Sequence, residues 1–125
     1  MEDFKQEFIE DIVVEKVNLL KATHIEVKPF WDRLEADNVF DGRKIIIDLS
    51  FCTLINTTFA GIIVKAFRKI AENNGEMKLV LPQFESENLF RLSGLTQLID
   101  SFHNLEDAIE SYNLKSPINE VQLSG

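Results

Sequence analysis

The chain has 125 residues and carries 13 Lys and Arg against 21 Asp and Glu, so its formal net charge is −8 at pH 7. Such a charge repels a nucleic-acid backbone and an anionic lipid surface, which argues against both as partners. No apolar run approaches the ~18 residues of a spanning helix, and the charged N-terminus is unlike a signal peptide. A single cysteine allows no internal disulfide. We therefore expect a one-domain cytoplasmic protein without direct membrane insertion.

The N-terminal residues predict two short strands, 4–10 and 12–17. In the first, apolar and polar residues alternate, and the second opens with β-branched residues. Glu10 and Asp11 can form the turn of a hairpin, although they lack the Asn-Gly or Asp-Gly sequence that favours one.

A helix is predicted next, because Thr23 and Glu26 have the spacing of a capping box. It would run to about Ala36. Pro29 conflicts with this start, since a proline beyond the first turn removes a hydrogen bond and bends the helix. A helix that begins at Pro29 is the alternative.

The middle of the chain predicts a buried strand followed by a long helix. Residues 44–49 are nearly all apolar, which is typical of a central strand covered on both faces. The helix would run from Asn56 to about Asn73, with apolar residues at helical spacing, and end at Asn73-Asn74-Gly75.

The last third predicts alternating strands and helices. We expect a strand at 77–81, a short helix capped by Ser86 and ended by Gly94, a strand near 98–102 and a helix over about 105–112. The order β-β-α-β-α-β-α-β-α indicates an α/β domain, with a mostly parallel sheet of four to five strands covered by about four helices. We assign residues 1–112 to this domain and 113–125 to a loosely ordered tail.

The residues with catalytic potential are few and scattered. His24 and His103 lack the spacing of a metal site. Cys52 follows an apolar strand, so we interpret it as a small buried apolar residue. No phosphate-binding loop occurs, and Lys65, Arg68 and Lys69 fit a solvated helix face better than a nucleotide site. We expect no catalytic residue, no metal and no cofactor.

The junction between the central strand and its helix, residues 48–61, carries the functional signal. Polar hydroxyl residues stand where the helix begins. One interpretation is structural, with Asn56 or Thr57 simply capping the helix. The other is functional, because a helix N-terminus favours an added phosphate, and a threonine there is a candidate for reversible phosphorylation.

This junction and two later segments resemble the STAS domain of bacterial anti-sigma factor antagonists. Asp48-Leu49-Ser50 is similar to that family's strand end, and Asn56-Thr57-Thr58-Phe59 falls on its switch motif. Leu79-Val80-Leu81-Pro82 and the later Gly94-Leu95 pair also match in order and spacing. The resemblance covers about residues 5–112.

The resemblance implies a mechanism of partner switching. In this family an anti-sigma factor that is also a serine kinase phosphorylates the first hydroxyl of the motif, which here is Thr57, with Thr58 adjacent. Phosphate abolishes binding to that kinase, and a phosphatase restores it. The expected partner-binding residues are Leu54, Asn56, Thr57, Thr58, Phe59 and Ile63, in a monomer or weak homodimer.

The sequence departs from the family motif at three points, which leaves an alternative open. Asn56 replaces the usual acid, threonines replace both serines, and Phe59 replaces a small glycine. The chain could instead be a STAS module that binds constitutively, for example as a non-catalytic subunit of a lipid-transport ABC transporter. Thr57 and Thr58 would then only cap the helix. Five other phenylalanines are predicted core residues: Phe4, Phe8, Phe30, Phe67 and Phe90.

Overall fold

The computed structural model describes residues 2–83 and 94–113. Strands β1 (Phe4–Ile9) and β2 (Ile12–Val17) form an antiparallel hairpin. Glu10 turns the chain with φ of 55°, so the hairpin forms with a non-glycine residue in the left-handed region. This confirms the predicted strand pair.

The capping box at Thr23 opens a short 3-10 turn, His24–Glu26, that leads directly into helix α1 (Val27–Ala36). Glu26 Oε1 accepts a hydrogen bond from the Thr23 backbone N–H at 2.8 Å. Pro29 is therefore the third residue of α1, in the first turn, where its missing N–H costs no intrahelical hydrogen bond. The predicted cap and the proline are thus compatible.

The remaining elements follow the predicted alternation of strands and helices. After strand β3 (Lys21–Ala22) and α1, a second 3-10 turn (Val39–Asp41) precedes the strands and helices that complete the domain. These are β4 (Lys44–Asp48), β5 (Leu54–Ile55), α2 (Thr57–Glu72), β6 (Glu76–Val80), α3 (residues 94–98), β7 (Ser101–Phe102) and α4 (residues 105–113).

The main sheet has the strand order β1-β2-β4-β6-β7, and every pair except the N-terminal hairpin is parallel. The predicted fold class, a mostly parallel α/β domain, is therefore confirmed. A separate parallel pair, β3 with β5, joins Lys21 to Leu54 and Ala22 to Ile55. This small pair fixes the chain immediately before α2.

The sheet is covered on two faces. Helices α1 and α2 pack on the first face, where the rings of Phe4, Phe30 and Phe59 stack with centroids 5.5 and 5.0 Å apart. Helix α4 packs on the second face, which is lined by Ile12, Val14, Ile46, Val80, Ala108 and Tyr112. Strand β4 contributes buried residues to both faces, as predicted for a central strand.

Three sequence predictions are wrong in detail. Gly94 lies within α3 and does not end a helix, whereas Ser86 and the rest of the predicted short helix lie outside the described residues. The last strand begins at Ser101, because residues 94–98 are helical. Phe8 is 69% exposed, near the end of β1, which is an edge strand of the sheet.

Two further predictions fall wholly or partly on residues outside the described ranges. Phe90 lies outside the described residues, while Phe4 and Phe30 are buried and Phe67 is half-buried. Of the predicted tail, only Asn113 is described, as the end of α4. The domain boundary at residue 112 stays a prediction.

Candidate partner-binding site

The loop after β4 carries the chain from the sheet to the start of α2. Asp48 Oδ1 accepts the Ser50 N–H at 2.9 Å, and the Cys52 N–H donates to the Leu49 carbonyl at 3.0 Å. Leu49 and Cys52 are fully buried. The Asn56 N–H then donates to the Ala22 carbonyl at 3.1 Å. These bonds hold the N-terminus of α2 in a defined place.

Asn56 is the N-cap of α2. Its backbone is extended, with φ −86° and ψ 171°, and its Oδ1 accepts the Phe59 N–H at 3.0 Å. An asparagine is among the best residues for this role. The capping interpretation of the motif therefore applies to Asn56, and the two threonines that follow are not needed as caps.

Thr57 and Thr58 occupy the first two positions of α2, and both are exposed. Within the described residues, neither hydroxyl makes a hydrogen bond. No acidic residue lies in the first turn, because asparagine stands where the family motif has an acid. The N–H groups and the dipole of the 16-residue helix favour negative charge here.

The structure corrects the predicted partner-binding surface at two residues. Phe59 and Ile63 are fully buried on the inner stripe of α2, facing the sheet. They cannot contact a partner in this conformation. Leu54 and Asn56 are half-buried beside the exposed threonines. The large ring of Phe59 therefore points into the core, and it does not obstruct a partner.

The outer side of α2 contains residues that the sequence prediction missed. Ala60, Gly61 and Val64 follow Thr57 at helical spacing and face α3 across a groove of about 360 Å³. Leu95 and Leu98 line the other wall, and Leu98 is 44% exposed. These residues carry no signal in the sequence until it is known which side of α2 faces the sheet.

The C-terminal half of α2 carries a cationic patch formed by Lys65, Arg68 and Lys69. The Lys65 and Lys69 ammonium groups lie 5.0 and 5.4 Å from the centroid of the Trp31 ring. Lys69 also lies 4.5 Å from the ring of Phe40. These distances are within the range of cation–π contacts. The rings thus orient two of the three cations.

The candidate catalytic and metal-binding residues of the sequence are not assembled into a site. Among residues 2–83 and 94–113, no group of three His, Cys, Asp or Glu side chains could hold a metal ion. Burial, with the Asp48 carboxylate nearby, raises the pKa of the Cys52 thiol to about 12. That thiol is a poor nucleophile at neutral pH, which agrees with the predicted role of a small apolar residue.

Comparison with known proteins identifies the family. The STAS domain family model matches residues 3–108, and the chain belongs to this family. A search of the curated proteins gave no match. Among the described helices, none is long and apolar enough to cross a membrane.

Solved structures with the same fold include anti-sigma factor antagonists. One from Mycobacterium paratuberculosis has a TM-score of 0.74 and 17% identity, over 86% of this chain and 91% of that one. The unphosphorylated form of the anti-sigma factor antagonist SpoIIAA has a TM-score of 0.66 and 19% identity, over 88% and 96%. The Thermotoga maritima protein TM1081 has a TM-score of 0.71 and 21% identity, over 86% and 92%. A phosphorylated form of SpoIIAA from Bacillus, 18% identical, also matches, with a TM-score of 0.61 over 87% and 98%.

Proposed function

We propose that the chain is a regulatory binding module that exchanges protein partners, and that phosphorylation of Thr57 controls the exchange. The observation that carries this proposal is the exposed Thr57 hydroxyl at the first position of α2, beside a cap that Asn56 already provides. The module comprises residues 1–112. Its partner would be an anti-sigma factor with serine-kinase activity, which is the partner that the resemblance of the 56–59 motif implies.

The chemistry of the exchange needs only a hydroxyl from this chain. The Thr57 oxygen attacks the γ-phosphorus of the kinase's ATP, ADP leaves, and a base of the kinase takes the proton. A phosphatase reverses the modification by hydrolysis. The partner therefore supplies the catalysis, and this chain supplies the acceptor.

Phosphate at Thr57 would act directly on the groove between α2 and α3. Thr57 forms one end of that groove, next to Ala60 and Gly61. A phosphothreonine adds a charge of about −1.5 to −2 and a hydration shell. A partner seated in the groove would have to desolvate this charge, which weakens docking. Thr58 is also exposed, but it does not line the groove.

The first test maps the modified residue. The protein is incubated with ATP and the kinase encoded beside its gene, and the phosphorylated residue is located by mass spectrometry. We expect phosphate on Thr57, its loss in Thr57→Ala and its retention in Thr58→Ala. Phosphate on neither threonine would remove the switch.

The second test measures partner affinity by calorimetry for Thr57→Ala and Thr57→Glu. We expect Thr57→Ala to bind within about threefold of the parent and Thr57→Glu to lose at least about tenfold, or about 1.4 kcal/mol. The melting temperature of both should be unchanged, because Asn56 keeps the cap. Similar modest losses in both variants would indicate a constitutive packing module, as in a transporter subunit.

A further inference from the structure

The cationic patch of Lys65, Arg68 and Lys69 stands out in an acidic chain. Six of the other described cations lie within 4.0 Å of a carboxylate: Lys5, Lys16, Lys28, Arg33, Lys44 and Lys78. Among the described residues, no carboxylate lies within 4.0 Å of a cation of the patch. The same holds for Lys21 and Arg43, which lie apart from each other in the sequence. Without the patch the chain would carry −8 − 3 = −11. The only concentration of unpaired cations is therefore on α2, so far as the structure describes the chain.

The arrangement of the patch is unfavourable for the isolated helix. Lys65 lies three residues from Arg68 and four from Lys69, and like charges at these spacings on one helix repel each other and destabilise it. Glu72 borders the same surface, a hollow of about 430 Å³, but makes no ion pair with the patch. Trp31 and Phe40 hold the two lysines in place. A partner's carboxylates would relieve this repulsion.

The patch is continuous with the apolar groove that begins at Thr57. Arg68 lines both the groove and the hollow beside Trp31. Within the groove, Gly61 is the fifth residue of α2, inside the helix, where glycine is less favourable than alanine. A Cβ at Gly61 would meet nothing within 4 Å. The fold of this chain therefore does not require that glycine, whereas a partner that approaches α2 closely would.

We infer that an acidic, amphipathic helix of the partner protein docks along the outer side of α2. Its apolar side chains would occupy the groove beside Ala60, Gly61 and Val64, and its carboxylates would meet Lys65, Arg68 and Lys69. The net charge of the remaining surface disfavours a nucleic acid or an anionic membrane at the same patch. The inference extends the proposed function, on which the choice of a protein partner rests.

The test uses two synthetic helical peptides with identical apolar faces. One carries glutamates on its polar face, and its twin carries lysines at the same positions. Binding to the isotope-labelled protein is followed by NMR and quantified by calorimetry. We expect the glutamate peptide to perturb the amides of α2 and α3 and to bind at least about tenfold more tightly than the lysine twin. Equal binding, or perturbation confined to other elements, would overturn the inference.

A charge-reversal pair provides the matched control. Two double variants are compared, Lys65→Glu/Lys69→Glu on α2 and Lys5→Glu/Lys44→Glu as the control. Each changes the net charge by four units, from −8 to −12. Lys5 and Lys44 lie away from α2, on β1 and β4, in exposed ion pairs of small energy. We expect the α2 pair to lose at least about tenfold in affinity for the glutamate peptide and the control pair to stay within about threefold. Equal losses would show a general charge effect and would overturn the inference.

Filling the groove gives an independent measurement. Gly61→Leu places a side chain into open space, so the fold should persist, as checked by its NMR spectrum, while affinity falls at least about fivefold. Unchanged affinity would contradict the inference that the partner's apolar side chains occupy the groove beside Gly61. None of these experiments contains a kinase, so their outcome is independent of whether Thr57 is phosphorylated.

Discussion

Each face of the central sheet buries a charged residue, Glu15 on the first face and Lys78 on the second, and the two environments are opposite. Lys78 of β6 lies on the second face, under α4. Its ammonium donates to Ser111 Oγ at 2.8 Å, lies 3.7 Å from a Glu76 oxygen and stands 4.4 Å from the centroid of the Tyr112 ring. The charge on this face is therefore partnered.

Glu15 of β2 is buried under α1 on the first face, and its environment is the reverse. Within the described residues, neither carboxyl oxygen has a hydrogen-bond partner. The nearby Arg33 and Asp37 bond to each other at 2.8 Å. Burial, together with repulsion from Asp37, raises the pKa of Glu15 to about 8. At neutral pH this face therefore keeps its acid in the protonated form, whereas the other face surrounds its cation with partners.

The largest predicted effect comes from removing Glu15. In the folded protein its pKa of about 8 exceeds the ordinary value of 4.5, so its contribution to stability is fully present below about pH 4.5 and is lost as the pH rises from there through about 8. The free energy of unfolding should fall over this window by up to about 1.4 kcal/mol per pH unit. Glu15→Leu should abolish that slope and be more stable by a few kcal/mol at pH 9. Urea unfolding at several pH values measures both.

Glu15→Gln is the control that separates charge from polarity. It keeps the size and a polar group but cannot ionise, so it should also lose the pH slope, while it remains less stable than Glu15→Leu because its amide stays unsatisfied. The contrary result is that the parent and Glu15→Gln show the same pH dependence of the free energy of unfolding between pH 5 and 8. The Glu15 carboxyl would then be ionised in the folded protein, and the contrast between the two faces would be absent.

The alternation of strands and helices was predictable because the local signals agree with the packing. Residues 44–49 are apolar on both sides and became the central strand, and the cap at Thr23 and the inner stripe of α2 have their predicted places. The partners of Lys78 were not predictable, because Ser111 and Tyr112 are more than 30 residues away along the chain. Only tertiary packing places them there.

The candidate site was predicted in position but not in orientation. The motif correctly indicated the start of α2, since a hydroxyl-rich segment after an apolar strand marks a helix N-terminus. The family motif alone does not indicate that Phe59 faces inward; the apolar stripe of α2, to which Phe59 belongs, does. Phe59 stacks on Phe30, which lies 29 residues earlier in the chain, so the motif could not indicate this contact. The outer residues Gly61 and Val64 carry no signal of their own until it is known which side of α2 faces the sheet.

Tyr112 tests how strongly the second face holds α4. Its hydroxyl accepts the Ile45 N–H at 3.2 Å and lies 2.8 and 2.9 Å from the carbonyl oxygens of Ile45 and Glu76. Tyr112→Phe keeps the ring over Lys78 but leaves these buried backbone groups without the hydroxyl. We expect a loss of about 1–3 kcal/mol in the free energy of unfolding, measured by urea denaturation. A neutral result would mean that the Tyr112 hydroxyl does not help to hold α4, which would then depend on apolar packing and the Lys78–Ser111 hydrogen bond.

Ser111 gives the smallest effect and the most direct comparison with Glu15. Its hydroxyl accepts from Lys78 at 2.8 Å and donates to the Ala108 carbonyl at 2.7 Å. Ser111→Ala should cost only about 1 kcal/mol, because Glu76 and the Tyr112 ring still stabilise the ammonium. Ser101→Ala is the matched control, since that hydroxyl bonds only the nearby Ile99 carbonyl among the described residues. A loss of several kcal/mol in Ser111→Ala, without a similar loss in Ser101→Ala, would show that the buried Lys78 charge depends on this one hydrogen bond. The contrast with Glu15 would then be small.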